Sequence, residues 1–186
     1  TCLGLPELEK LVKTATSSLL KMTGGSVATL NCLSGVHAMI ATILSTTDVG
    51  DVIMTVHHDD GGHFATKGII ELTGRKHCYA TYNYEDNNFD ALDTSKTIYR
   101  NKVKLLYLDI SYYIDPVNLY EIRQNIGKGC LIAYDASHTL GLIMSGRFQS
   151  PLKEGADILV GNTHKTLPGP QKALIVIREK KLGEKM

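Results

Sequence analysis

The sequence has no Cys-x-x-Cys pair, no block of basic residues, no internal repeat and no Pro/Ser-rich linker. Its four cysteines, Cys2, Cys32, Cys78 and Cys130, are scattered. That spacing argues against a disulfide framework or a zinc site and for reduced, mostly buried thiols in a cytoplasmic protein. No apolar run reaches the roughly 18 residues that a spanning helix needs, and the first residues carry no signal-peptide pattern. The net charge is only +1. This gives no electrostatic case for a nucleic-acid or anionic-membrane partner, and Lys180, Lys181 and Lys185 read as a solvated tail. Neither GxGxxG nor GxxxxGK[ST] occurs, which counts against an unrelated nucleotide-binding domain.

What is present suits one globular unit. The chain has 186 residues, 43% apolar and 21% charged, enough to bury a core as a single domain. Pro6 suits the first turn of a helix running to about Lys21, with Leu8, Leu11, Val12, Ala15, Leu19 and Leu20 on its apolar stripe and Gly24 and Gly25 stopping it. Strands are expected at Val27 to Leu33, Asp51 to Val56, His77 to Tyr79, Val103 to Asp109, Leu131 to Tyr134, Ile158 to Gly161 and Ala173 to Arg178. Helices are expected at Gly35 to Leu44, His63 to Leu72, within Asp90 to Tyr99 and at Pro116 to Ile126. A short helix should follow Asp135. Such alternation predicts a three-layer α/β/α fold on a mostly parallel, roughly seven-stranded sheet. Ligands of such sheets sit at the carboxyl ends of the strands, so the segments following the strands are the ones to inspect.

Four of these segments carry unusual polar residues. Ser34-Gly35 lies between a strand and a helix, where backbone N–H groups and a hydroxyl can cradle a phosphate; Ser34 is equally a common N-cap. His57-His58-Asp59-Asp60-Gly61-Gly62-His63 admits three readings: a metal site, a polar loop with a capping Asp, or a sharp bend that sets His63 against a ligand. Asp135, at the end of an apolar strand, either caps the next helix or pairs with a cationic ligand group such as a pyridinium nitrogen. Lys165 stands among Thr163, His164, Pro168 and Gly169. A lone lysine is usually exposed, but burial here would lower its pKa and make the amine nucleophilic towards an aldehyde. Asp135 and Lys165 are separated by room for one crossover helix and one strand, so they can end neighbouring strands and face one ring.

Together these segments resemble serine hydroxymethyltransferase. The resemblance is carried by Tyr134-Asp135-Ala136-Ser137-His138-Thr139-Leu140-Gly141-Leu142 and Thr163-His164-Lys165-Thr166-Leu167-Pro168-Gly169-Pro170, with Leu33-Ser34-Gly35, Asp60-Gly61-Gly62-His63 and Ser111-Tyr112-Tyr113 in the expected order. It spans about Leu5 to Ile177. It implies a fold type I pyridoxal 5'-phosphate enzyme, a transferase or aldolase of amino-acid metabolism, and a homodimer in the full-length parent. By resemblance, Lys165 carries the cofactor as a Schiff base, Asp135 keeps the pyridine nitrogen protonated, and His63 stacks on the ring. His138 and Ser111 contact the ring and its phenolic oxygen. Ser34, Gly35, Val36, Thr163 and His164 complete the cofactor-binding set. No metal is implied.

Three departures stand out. Val36 replaces a second Ser, Asn162 replaces a Thr, and Gln171-Lys172-Ala173 replaces Arg-Gly-Gly. They weigh against tetrahydrofolate more than against pyridoxal phosphate. The family is more than twice this long, so residues 1–186 read as one large domain without the N-terminal segment and the C-terminal small domain. Three functions follow: aldol-type cleavage or transfer on glycine, serine or threonine-like β-hydroxy amino acids, a folate-independent threonine aldolase or transaldolase, or a cofactor-binding module that is catalytically incomplete.

Overall fold

The computed structural model describes residues 5–186; Cys2 lies outside them. Helix α1 (Pro6–Thr23) leads into β1 (Val27–Cys32), α2 (Gly35–Thr46) and β2 (Val52–Thr55). A 3-10 turn (His58–Asp60) precedes α3 (Thr66–Leu72) and β3 (Lys76–Tyr79). A small hairpin, β4 (Tyr82–Asn83) and β5 (Asn88–Phe89), is followed by α4 (Ala91–Asn101), β6 (Val103–Leu108), α5 (Leu119–Ile126) and β7 (Leu131–Asp135). Short helices α6 (Leu140–Met144) and α7 (Pro151–Glu154) lead to β8 (Ile158–Asn162), β9 (Ala173–Ile177) and α8 (Lys180–Gly183).

The seven-stranded sheet runs in the order β1-β9-β8-β7-β6-β2-β3. The pairs from β8 to β3 are parallel, whereas β9 is antiparallel to both of its neighbours. Parallel neighbours need a long crossover. Residues 163–172 link β8 to β9 without a helix, so β9 returns directly alongside β8 in the opposite sense. Strand β1, opposed to β9, again points the same way as β8, which brings the end of β1 to the same edge as the ends of β8, β7, β6 and β2.

Side chains alternate across each strand. In β6, Leu105 and Tyr107 face α2 and α3 and join Ala38, Met39, Ile43 and Ile70. Leu106 and Leu108 face the other way, onto Ile98 of α4 and Leu119, Ile122 and Ile126 of α5. All of these side chains are buried. The sheet is therefore a rigid base with its carboxyl edge open.

Most ends shift by a residue or two, and two helices start later than expected. Helix α3 begins at Thr66, not His63, so His63 lies in the turn ahead of it. Helix α5 begins at Leu119, because the stretch from Pro116 is taken up by bonds between Val117 and Gln149. Cys32, Cys78 and Cys130 are free thiols, two buried and one partly buried. No helix among the described residues is long and apolar enough to cross a membrane.

Candidate active site

The open edge of the sheet holds a cleft of about 230 Å³. Ser34, Gly35 and Val36 enter it from the start of α2, His63 from the segment after β2, and Ser111 from the segment after β6. Asp135 and His138 come from the end of β7, and His164 and Lys165 from the loop after β8. Thr163 does not line the cleft. Its hydroxyl is 2.6 Å from the Pro170 carbonyl and 3.1 Å from that of Lys172, so it ties the loop together.

Ser34 caps α2: its Oγ accepts the His37 N–H at 3.2 Å. Capping uses a lone pair and leaves the hydroxyl proton free, so both readings of this residue are compatible. The first N–H groups of α2, at Gly35 and Val36, have no partner within the helix and carry its positive dipole end. Opposite them stands Asn162, whose buried Oδ1 has no hydrogen-bond partner. A Cβ added at Gly35 would lie 2.6 Å from that oxygen. The cradle needs glycine there.

The His57–Gly62 segment is held by its own backbone. The N–H groups of Asp60 and Gly62 both donate to the His57 carbonyl, at 3.0 and 2.9 Å. The turn then joins β6: the His63 N–H donates to the Asp109 carbonyl at 3.2 Å, and the Ser111 N–H to that of Gly61 at 2.7 Å. This is the bend reading of the His-Asp-Gly segment. Among the described residues no three His, Cys, Asp or Glu side chains are grouped as metal ligands.

Asp135 is 8% exposed. Its Oδ1 accepts the Ser137 N–H at 2.9 Å, capping the turn that follows. Its Oδ2 accepts the Tyr107 hydroxyl at 2.9 Å. The carboxylate is thereby fixed in orientation, with lone pairs left for a cleft ligand. Burial, and then the neighbouring Asp135 charge, holds the Tyr107 phenol well above its ordinary pKa, so it acts as a donor.

Lys165 departs from expectation: its side chain is exposed at the cleft mouth and not buried. Its Nζ lies 2.9 Å from Nε2 of His138. Burial first, and then the Lys165 charge, lowers the His138 pKa, with Asp135 opposing. Burial likewise lowers that of His63, again against Asp135. Both imidazoles are thereby biased towards their neutral form, and Nε2 of His138 stands within hydrogen-bond distance of the lysine nitrogen.

Sequence reasoning had overlooked two residues here. Asp109 lines the cleft one strand from Asp135, and Tyr107 anchors Asp135 from below. The signal for Asp109 was present, an acid closing an apolar strand just as Asp135 does. Asn162 had been noted only as a departure.

These donors and acceptors match the group implied by the resemblance: unpaired helix N–H groups for a phosphate, an anchored carboxylate for a ring nitrogen, a primary amine for an aldehyde. The serine hydroxymethyltransferase family pattern matches residues 2–185. The chain belongs to this family. A fluorothreonine transaldolase of Streptantibioticus cattleyicolor is 40% identical to it, over 98% of this chain and 28% of that protein. A serine hydroxymethyltransferase of Archaeoglobus fulgidus is 36% identical, over 98% of this chain and 42% of that one. The crystal structure of L-threonine transaldolase from Pseudomonas fluorescens, in its internal aldimine state, superposes with a TM-score of 0.94 at 30% identity, covering all of this chain and 43% of the other. The chain thus spans less than half the length of these relatives.

Proposed function

We propose that this chain is the cofactor-binding part of a pyridoxal 5'-phosphate enzyme that carries out aldol-type cleavage or transfer on glycine, serine or threonine-like β-hydroxy amino acids. The observation that carries the reading is the convergence of the Lys165 amine, 2.9 Å from His138, with an Asp135 carboxylate held by Tyr107 and Ser137 in one cleft.

When bound, pyridoxal phosphate supplies an aldehyde and an electron-accepting ring. The residues do the rest. Gly35, Val36, Ser34 and His164 would hold the phosphate at the α2 N-terminus. Asp135, anchored by Tyr107 and Ser137, would hold the protonated ring nitrogen. His138 would hold the Lys165 amine in place through the contact between its Nε2 and Lys165 Nζ. His63 would pack against the ring, and Ser111 would offer its hydroxyl to the ring's phenolic oxygen. Thr163 supports the site by bracing the loop that carries Lys165.

Adding pyridoxal phosphate should produce absorption near the visible edge, and Lys165→Ala should abolish it; matching spectra overturn the reading. Asp135→Ala should lower turnover of the whole enzyme by about a hundredfold or more while cofactor binding falls less.

A second reading, a folate-independent transaldolase, is favoured by the 40% identity to the fluorothreonine transaldolase and by Val36, Asn162 and Gln171. Formation of glycine from serine that depends on tetrahydrofolate favours the first reading; transfer from threonine to an added aldehyde without folate favours the second. A homodimer accords with apolar side chains exposed beside the site, such as Leu33, Val36 and Phe64. The free thiols accord with a cytoplasmic location.

A further inference from the structure

Strand alternation sends Tyr107 and Asp109 to the α2/α3 face of β6, the face that Asp135 occupies on neighbouring β7. Asp135 has its partners. Asp109 has almost none, yet it is 3% exposed. Its Oδ1 accepts one long bond, from the Val56 N–H at 3.3 Å. Its Oδ2 is buried with no hydrogen-bond partner, and so is the hydroxyl of Thr66 on α3. No cation pairs with it among the described residues. An ionised carboxylate so placed is strongly disfavoured, the more so one strand from a second one. The backbone of the same residue accepts the His63 N–H.

We propose that Asp109 is a positioning residue of the cleft that works as a neutral acid, fastening the end of β2 and His63 to β6 beside Asp135. The part concerning the cofactor rests on the pyridoxal phosphate reading above. The acid's carbonyl oxygen takes the Val56 N–H, and its proton turns towards the Thr66 hydroxyl.

Burial is the main force on Asp109 and pushes its pKa up to about 7; Asp135 adds to the rise, and Thr66 and Val56 oppose it. The other titratable groups nearby are Tyr107 on β6, Tyr113 beyond it and His63. Both phenols are held well above their ordinary range, chiefly by burial. Lys67 on α3 is turned to solvent, towards Glu71. β2 contributes no ionisable group within Val52–Thr55. Raising the pH through neutrality therefore places a second negative charge beneath the cleft.

Asp109→Asn keeps a carbonyl oxygen for Val56 and a donor for Thr66 but cannot ionise. Urea unfolding of the full chain without cofactor provides the first readout. The folded pKa lies above the unfolded value near 3.8, so the wild type loses a stabilising contribution as pH rises towards 7. The Asn variant's midpoint should gain on the wild type from pH 5 to 7 and hold steady above; a flat difference overturns the neutral acid. The second readout is pyridoxal phosphate affinity from the visible-edge absorbance. Titrations shared by both proteins cancel in the ratio of dissociation constants. That ratio should shift against the wild type by up to about tenfold, the equivalent of one pKa unit, between pH 6 and 8.5; an unchanged ratio overturns the effect on the cleft. Asp109→Ala should bind more weakly at every pH, with Asn restoring binding. An Asn variant as impaired as Ala, or one that fails to fold, also overturns the proposal. If Lys165→Ala leaves the spectrum unchanged, the cofactor reading fails, while the cofactor-free unfolding series still decides the state of Asp109.

Discussion

At the scale of single residues, the cleft is organised by what lies beneath its functional groups. Asp135 is oriented by two donors, and the Tyr107 hydroxyl is one of them. Tyr107→Phe keeps the buried ring and removes only that donor. A hydrogen bond to a charged group contributes about 1.5–3 kcal/mol, so denaturant unfolding should show a loss of that order. The cofactor spectrum should shift as well, because a freed Asp135 oxygen is more basic. A variant with wild-type stability and spectrum would mean that Ser137 alone fixes the carboxylate. Asp135 and Lys165 were legible in the sequence because each stands out chemically against an apolar strand. Tyr107 was not, since a tyrosine within such a strand reads as core until a carboxylate is found within reach of its hydroxyl.

At the scale of elements, the loop that carries Lys165 is set by its contact with α6. The Gly141 N–H donates to Thr166 Oγ1 at 3.2 Å. A Cβ at Gly141 would stand 2.3 Å from the Thr166 carbonyl oxygen, a backbone atom that cannot swing aside. Gly141→Ala should therefore displace the loop, at a cost of roughly 1–3 kcal/mol for overpacking. Pyridoxal phosphate affinity should fall while far-UV circular dichroism remains native. Undiminished affinity would show that the loop yields freely. Most elements of the sheet were readable from their apolar runs. The β4–β5 hairpin was not, because strands of two residues carry no alternation to read. The start of α3 was misplaced because the bonds of His63 and Ser111 across to β6 and Gly61 are tertiary.

For the whole molecule, the end of the sheet opposite the cleft is closed by charge. Asp157, 8% exposed, is bridged by Arg123 and Arg178 and also accepts the Ile132 N–H at 2.9 Å. Removing one partner of a buried ion network strands the others, at about 3–5 kcal/mol. Asp157→Ala should lower the urea midpoint accordingly, and a change below about 1 kcal/mol, the range of a surface pair, would reduce the network to that status. Stability should also depend on pH through the imidazoles. Burial lowers the pKa values of His63, His77 and His138 below 6.5 in the folded state. The unfolded chain then binds more protons, so this contribution is complete above pH 6.5 and is lost as pH falls through the folded values. In an Asp109→Asn background, free of the opposing acid, the unfolding midpoint should climb from pH 5 to 7; a level profile would mean that the imidazoles are solvated.

The sequence by itself determined the layered α/β class, the strands that build the sheet and the polar residues that follow those strands, because apolar periodicity and residue chemistry are local properties. Only the tertiary structure decided the reversal of β9, the exposure of Lys165 and its pairing with His138, the turning of Thr163 away from the cleft, and the carboxyl pair of Asp109 and Asp135. Each depends on which strands become neighbours and on how much water remains between them, and neither is encoded within any one segment.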